Sequence, residues 1–178
     1  MVEIFHKNLR NVISSSKRSV YIHYDETRSY PEMWANIRKF NAAFGVRRGL
    51  RIATLTNKSF DTYCAIFAII LTGNVWIPLG LRSPQARIFA MLELAKPSIL
   101  IVDSQPGPEV VLFAAMRGIE IIEVTDPASY ADEADLETVA VSPQDLAMIY
   151  FTSGSTGVPK GVPVTQDSLA INVENILK

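Results

Sequence analysis

Short, almost wholly apolar runs recur along the chain at RIATLT (51–56), VWIPL (75–79), SILIVD (98–103), IEIIEV (119–124) and DLAMIYF (145–151). Consecutive apolar positions, as opposed to alternating ones, suit strands covered on both faces. Between the first four runs lie segments long enough for a helix. A strand, a helix and a further strand make the crossover that parallel pairing needs, because a tight hairpin has no room for a helix. The pattern predicts a layered α/β fold, a mainly parallel sheet flanked by helices.

The helices have readable ends. SYPEMWANIRKFNAAFG places Met33, Trp34, Ile37, Phe40, Ala43 and Phe44 on one side at a period near 3.6, with Pro31 in the first turn and Gly45 to close it. SFDTYCAIFAIILTG (59–73) has Ser59 as an N-cap and is apolar on nearly every side, so it is expected to need cover all round. SPQARIFAMLELAK takes Ser83 as cap and Pro84 as first helical residue, and lines up Ile88, Met91, Leu92 and Ala95. PEVVLFAAMRG (108–118) and TQDSLAINVENILK (165–178, Thr165 as cap) complete the set, and acidic residues 125–143 read as an exposed connection.

Composition removes several functions. A net charge of −1 provides no field for nucleic acid or an anionic membrane. The longest apolar run, Tyr63 to Leu71, is about half the ~20 residues a spanning helix needs, so no membrane span is expected. The single cysteine, Cys64, cannot form an internal disulfide and reads as a core residue, and with no signal peptide evident the expected location is the cytoplasm. His6 and His23 read as ordinary surface or strand residues.

The segment YFTSGSTGVPKGV (150–162) carries the chemistry. Hydroxyls at Thr152, Ser153, Ser155 and Thr156 can donate to phosphate oxygens, Lys160 supplies a compact charge, and glycines at 154, 157 and 161 admit close backbone approach. Gly/Ser composition also marks flexible linkers. Against a linker stand the stiff Val-Pro-Lys sequence and a position after a strand and shortly before a helix, where backbone N–H groups converge on anions. It is not a Walker loop, since Pro159 lies five residues after Gly154 and Gly161 follows Lys160. Neither the dinucleotide fingerprint nor the nucleophile elbow fits, because Thr156 and Val158 stand where each needs a glycine.

The same segment resembles the signature loop of the adenylate-forming superfamily, which comprises acyl-CoA synthetases, adenylation domains of nonribosomal peptide synthetases and luciferases. GNVWIPLGLRSPQARIFAML (73–92), SYPEMW and RIATLTNKSFD resemble further blocks of that family in the same order, from about Tyr21 to the end of the chain. Two positions depart from the pattern: Gly80 stands where Asp is common, in a turn, and Gln166 where His commonly precedes the next helix, near the acyl pocket.

The resemblance implies the N-terminal part (1–178) of an AMP-binding domain whose C-terminal subdomains lie downstream in relatives. It implies ATP and magnesium, activation of a small-molecule carboxylic acid as an acyl-adenylate with release of pyrophosphate, and transfer to the thiol of coenzyme A or a carrier protein. Thr152, Ser153, Gly154, Ser155, Thr156, Gly157 and Lys160 are implied to hold the nucleotide phosphates, with Thr152 and Lys160 catalytic. No metal ligand is implied within this chain, because the family's metal-binding glutamate lies beyond it. These residues alone are expected to be inactive without the missing C-terminal part or a complementary chain. The alternative is a naturally short, noncatalytic module that binds ATP or pairs with a partner.

Overall fold

The computed structural model describes residues 2–23, 26–103, 106–124, 139–153 and 158–176. Helix α1 (Val2–Ser15) leads into a two-stranded antiparallel ribbon of β1 (Ser19–His23) and β2 (Glu26–Ser29). There follow α2 (Tyr30–Phe44), β3 (Arg51–Leu55), α3 (Phe60–Leu71), β4 (Val75–Pro78), α4 (Gln85–Ala95), β5 (Ile99–Val102), α5 (Pro108–Met116) and β6 (Glu120–Glu123). Beyond these come β7 (Leu146–Ser153), β8 (Pro159–Thr165) and α6 (Gln166–Ile176). The main sheet has the order β6-β5-β3-β4-β7-β8, parallel throughout except for the antiparallel β7–β8 pair at one edge. The layered α/β architecture expected from the sequence is therefore the one observed.

Two-sided burial explains the continuous apolar runs. In β3, Ile52 points into a core formed with α1, α2 and α3, while Ala53 and Leu55 point into a second core formed with α4 and α5. In β5, Ile99 and Ile101 enter the first core and Leu100 and Val102 the second. Successive strand side chains face opposite ways, so a strand buried on both faces needs an apolar residue at every position. Helix α3 receives its cover from within the chain, from α2 and the sheet, with Cys64, Ala65, Ala68 and Ile69 fully buried. Burial pushes the Cys64 thiol well above its usual range, which makes it an inert core residue.

Caps fix the helix entries. Ser29 and Glu32 form a capping box at α2, the serine side chain accepting from the Glu32 N–H and the Glu32 carboxylate accepting from the Ser29 N–H at 2.8 Å. Gly45 closes α2 at φ +66°, a conformation L side chains rarely adopt. Ser59 caps α3 as expected. Helix α4 differs: it starts at Gln85, Pro84 occupies the cap position with ψ 140°, and Ser83 makes no cap bond but donates its N–H to Gly80 O at 3.0 Å in a preceding turn. An extended Pro84 turns the chain into the helix without a side-chain acceptor.

Three elements were not legible beforehand. Helix α1 spaces Val2, His6, Leu9 and Ile13 along one side, but a histidine interrupts the apolar stripe. The β1–β2 ribbon is short, with apolar residues in β1 (SVYIH) but none in β2 (ETRS). Strand β8 contains Pro159, Gly161 and Pro163, residues that read as loop; at the sheet edge only β7 pairs with it, and missing N–H groups are tolerated there. Of the acidic segment 125–143, residues 125–138 lie outside the described residues; Val139 and Val141 approach Gly73, where an added Cβ would meet each at 3.0 Å.

Two outcomes test this account. Ile69→Ala, which empties a fully buried site, should cost about 2–5 kcal/mol of unfolding free energy in urea titrations. The Ser29 N–H and hydroxyl hold the Glu32 carboxyl below its ordinary range, so its stabilisation is present above the unfolded carboxylate's range and is lost as pH falls through the lower folded value. The stability gap between wild type and Glu32→Gln should accordingly shrink between pH 6 and pH 3, measured as urea midpoints.

Candidate functional site

Strand β7 is buried at Ala147 and Met148 and becomes progressively more exposed and hydroxylated toward Thr152 and Ser153. Its register with β8 runs Ile149↔Pro163, Tyr150↔Val162, Phe151↔Gly161, Thr152↔Lys160 and Ser153↔Pro159. The loop therefore joins two antiparallel strands; the helix that the sequence placed shortly after it, α6, follows the seven residues of β8. The N-terminus of α6, at Gln166, lies at the end of β8 away from the loop.

The antiparallel register does bring Thr152 and Lys160 together as cross-strand partners one rung from the turn, both exposed, with Ser153 on the last rung. Side chains paired this way have Cβ atoms about 4.5–5.5 Å apart and project from the same face. Eight residues apart in sequence, a hydroxyl and an ammonium thus share one end of the hairpin. Gly154, Ser155, Thr156 and Gly157 lie outside the described residues.

Gly161 has a packing use besides the anion approach expected of it. A Cβ there would meet Ile149 Cγ2 at 3.3 Å and Phe151 Cε1 at 3.5 Å, so its absence lets these two β7 side chains close over β8. On that face Ile149 and Phe151, with Leu94 of α4 and Arg51, line an open groove of about 620 Å³, which Lys160 borders from the other face. On the opposite face Tyr150 and Val162 form an apolar rung, 46% and 44% exposed, leading to the Thr152–Lys160 rung.

Among the described residues no group of three His, Cys, Asp or Glu side chains comes together that could hold a metal ion. The donors at the hairpin end, a hydroxyl and an ammonium, suit phosphate oxygens and do not suit a metal ion. Among the described residues no helix is long and apolar enough to cross a membrane.

The base of the hairpin is anchored. Gln166 N–H donates to Asp145 O at 2.8 Å and Asp167 N–H to Pro143 O at 3.1 Å, tying the start of α6 to the entry of β7. Thr165 accepts from Ser168 N–H at 3.3 Å, in the cap role expected of it. His6 is not a surface residue: it is buried on α1, with Nε2 2.9 Å from Oε1 of the fully buried Gln166. Spacing along α1 was the one sequence signal for this, and the polar residue masked it.

A parallel α/β sheet ending in a hydroxyl-rich antiparallel hairpin defines the fold of the N-terminal subdomain of adenylate-forming enzymes. ATP-bound MatB from Rhodopseudomonas palustris superposes with a TM-score of 0.85 at 25% identity, over 99% of this chain and 37% of MatB. The N-terminal subdomain of Klebsiella oxytoca NpsA, in complex with 3-hydroxyanthranilyl-AMSN, shares the fold with a TM-score of 0.73 at 22% identity, over 93% of this chain and 40% of that one. The family model described as AMP-binding enzyme matches residues 10–178, and the chain belongs to that family.

Among curated relatives, the hybrid PKS-NRPS synthetase poxE of Penicillium oxalicum is 35% identical over 139 residues, covering 72% of this chain. Cyclosporin synthetase simA of Tolypocladium inflatum is 30% identical over 174 residues, covering 92% of this chain. The chain spans 3% of poxE and 1% of simA.

The close fit at position 161 is testable. Gly161→Val, which places branched carbons against Ile149 and Phe151, should destabilise the protein by about 1–3 kcal/mol in urea titrations, with Gly161→Ala costing less.

Proposed function

We propose that this chain supplies the phosphate-binding hairpin of an ATP-dependent, AMP-forming ligase that activates a carboxylic acid. The observation that carries this reading is the Thr152–Lys160 rung at the turn end of β7–β8, in a member of the AMP-binding enzyme family. The ATP bound in MatB and the AMPPNP bound in FmoA3, a nonribosomal peptide synthetase, support a nucleotide as the ligand.

The reaction has an electrostatic difficulty. A carboxylate oxygen attacks the α-phosphorus of a polyanion, the new acyl–phosphate bond forms, and the bond from that phosphorus to the bridging oxygen breaks, so pyrophosphate leaves with added negative charge. Donors fixed around the β- and γ-phosphates oppose that charge without reorganising. In this reading Lys160 supplies the ammonium, Thr152 and Ser153 supply hydroxyls at the hairpin end, and Gly154, Ser155, Thr156 and Gly157 complete the cradle. An antiparallel pair of strands is a rigid mount for such donors. Magnesium accompanies ATP as its counter-ion, and no step is assigned to a metal held by this chain.

The acyl-adenylate is then passed to a thiol, and the megasynthetase relatives favour a carrier-protein thiol over coenzyme A. Residues that select the acid and close over the adenylate are proposed to come from further subdomains, so this chain binds nucleotide without turnover. The cytoplasm, where ATP is abundant, is the proposed location. The exposed Tyr150–Val162 rung and the groove beside Lys160 are where those subdomains or a partner would meet this one.

Isothermal titration of the 178-residue chain with magnesium-ATP should give a Kd in the micromolar to millimolar range, weakened about tenfold or more by Lys160→Ala. The same chain should show no carboxylate-dependent exchange of labelled pyrophosphate into ATP. Undetectable binding, or binding indifferent to Lys160, overturns the phosphate assignment; exchange by this chain alone overturns the division of labour.

A further inference from the structure

Gln166 is fully buried at the first position of α6, and so far as the described residues go only half of its amide is used: Oε1 lies 2.9 Å from His6 Nε2, and Nε2 has no partner. A buried amide left half satisfied is costly, and one that persists needs a role. Asn74, also fully buried, shows the contrasting case: its Oδ1 accepts from Leu50 N–H at 2.9 Å and its Nδ2 donates to Thr72 Oγ1 at 2.9 Å, fastening the entries of β3 and β4.

The location of Gln166 gives its one side-chain contact, through Oε1, a use. Strand β8 is paired with β7 on one side and, among the described residues, with no strand on the other, and Pro159 and Pro163 withhold two N–H groups. One end of β8 carries Lys160 and the other runs directly into Gln166. Gln166 and Asp167 hold the β7 entry through main-chain bonds, and the Gln166 side chain reaches the opposite way, to α1. Helix α1 is itself fixed to the body of the fold, with Val2 and Ile13 buried and Arg10 5.9 Å from the Trp34 ring of α2. His6 precedes the segment matched by the family model, which begins at residue 10.

We propose that His6 is a positioning residue for the hairpin: by donating its Nε2–H to Gln166 Oε1 it locks the α6 end of β8 to α1 and α2, and so fixes where β8 presents Lys160. The effect on nucleotide rests on the phosphate-binding reading; the effect on β8 itself does not.

Hydrogen exchange of β8 amides, read against those of β3 and β5, separates local anchoring from general stability. His6→Leu, which keeps the site filled but removes the donor, should speed exchange at Lys160, Val162 and Val164 about five- to tenfold beyond any change in β3 and β5. His6→Gln, which retains a donor at similar reach, should restore protection to within about twofold. Gln166→Leu should give the same signature as His6→Leu, and the double variant no more than either alone, because both remove one interaction. In parallel, magnesium-ATP affinity should fall about three- to tenfold in His6→Leu and recover in His6→Gln.

Exchange in β8 that is unchanged, or that rises only in step with β3 and β5, overturns the proposal, as does additivity of the two Leu variants. If wild type binds no magnesium-ATP, the nucleotide reading fails while the exchange pattern still decides the anchoring. If His6→Leu does not fold, Gln166→Leu and His6→Gln carry the same comparison.

Discussion

The double-sided burial of β3 and β5 is the constraint from which the other parts of the molecule take their positions. Ile52, Ala53, Ile99, Leu100 and Ile101 have no exposed surface, and each pair of successive residues faces a different helical layer. Helices α2 and α3 must lie on one side and α4 and α5 on the other, or one half of these side chains would meet water. That requirement sets the crossovers, and the crossovers set the order β6-β5-β3-β4. The hairpin is attached to this block through β4, in parallel contact at Trp76 and Met148. Its hydroxyl-rich end is thus held out from a rigid core while its base is built into it.

The change in character along β7 joins stability to chemistry. Within eight residues the strand passes from Ala147 and Met148, which are buried, to Thr152 and Ser153, which are exposed. An edge pairing with β8 satisfies the backbone of this emerging strand without asking for apolar cover, so polar side chains can be displayed on regular structure. The Gly161 contact tightens the pairing at the point where cover runs out, letting Ile149 and Phe151 lie against the β8 backbone.

Much of this was legible in the sequence, for reasons that differ by element. Strands β3 to β6 could be read because burial on both faces leaves an unbroken apolar run, α2 because its apolar periodicity agrees with Pro31 and Gly45, and α3 because Ser59 opens a run apolar on nearly every side. The family could be read because its signature is long and local. Strand β8 could not, since Pro159, Gly161 and Pro163 are ordinary loop residues whose fitness as an edge strand depends on a partner supplied elsewhere. Ser83 was misread as a cap for a related reason: the chain enters α4 through the extended geometry of Pro84, which no side chain needs to support. In α1 the stripe Val2, His6, Leu9, Ile13 was hidden by one polar member, and what makes a buried histidine acceptable is Gln166, far along the chain. Positions of hydroxyls and charges can be read locally, whereas partners across tertiary contacts cannot.

The His6–Gln166 contact also spans 160 residues, so it bears on the order in which the protein assembles. A closure of that length carries a large entropy cost if attempted first, and a modest one once the intervening strands are already in register. The imidazole is synthesised 160 residues ahead of the amide and waits for it through the making of the intervening sheet. During translation α1 can rest on α2 with its histidine unsatisfied. Only when β8 has paired and α6 has started does that ring find its acceptor, so α1 is completed after the strands that follow it.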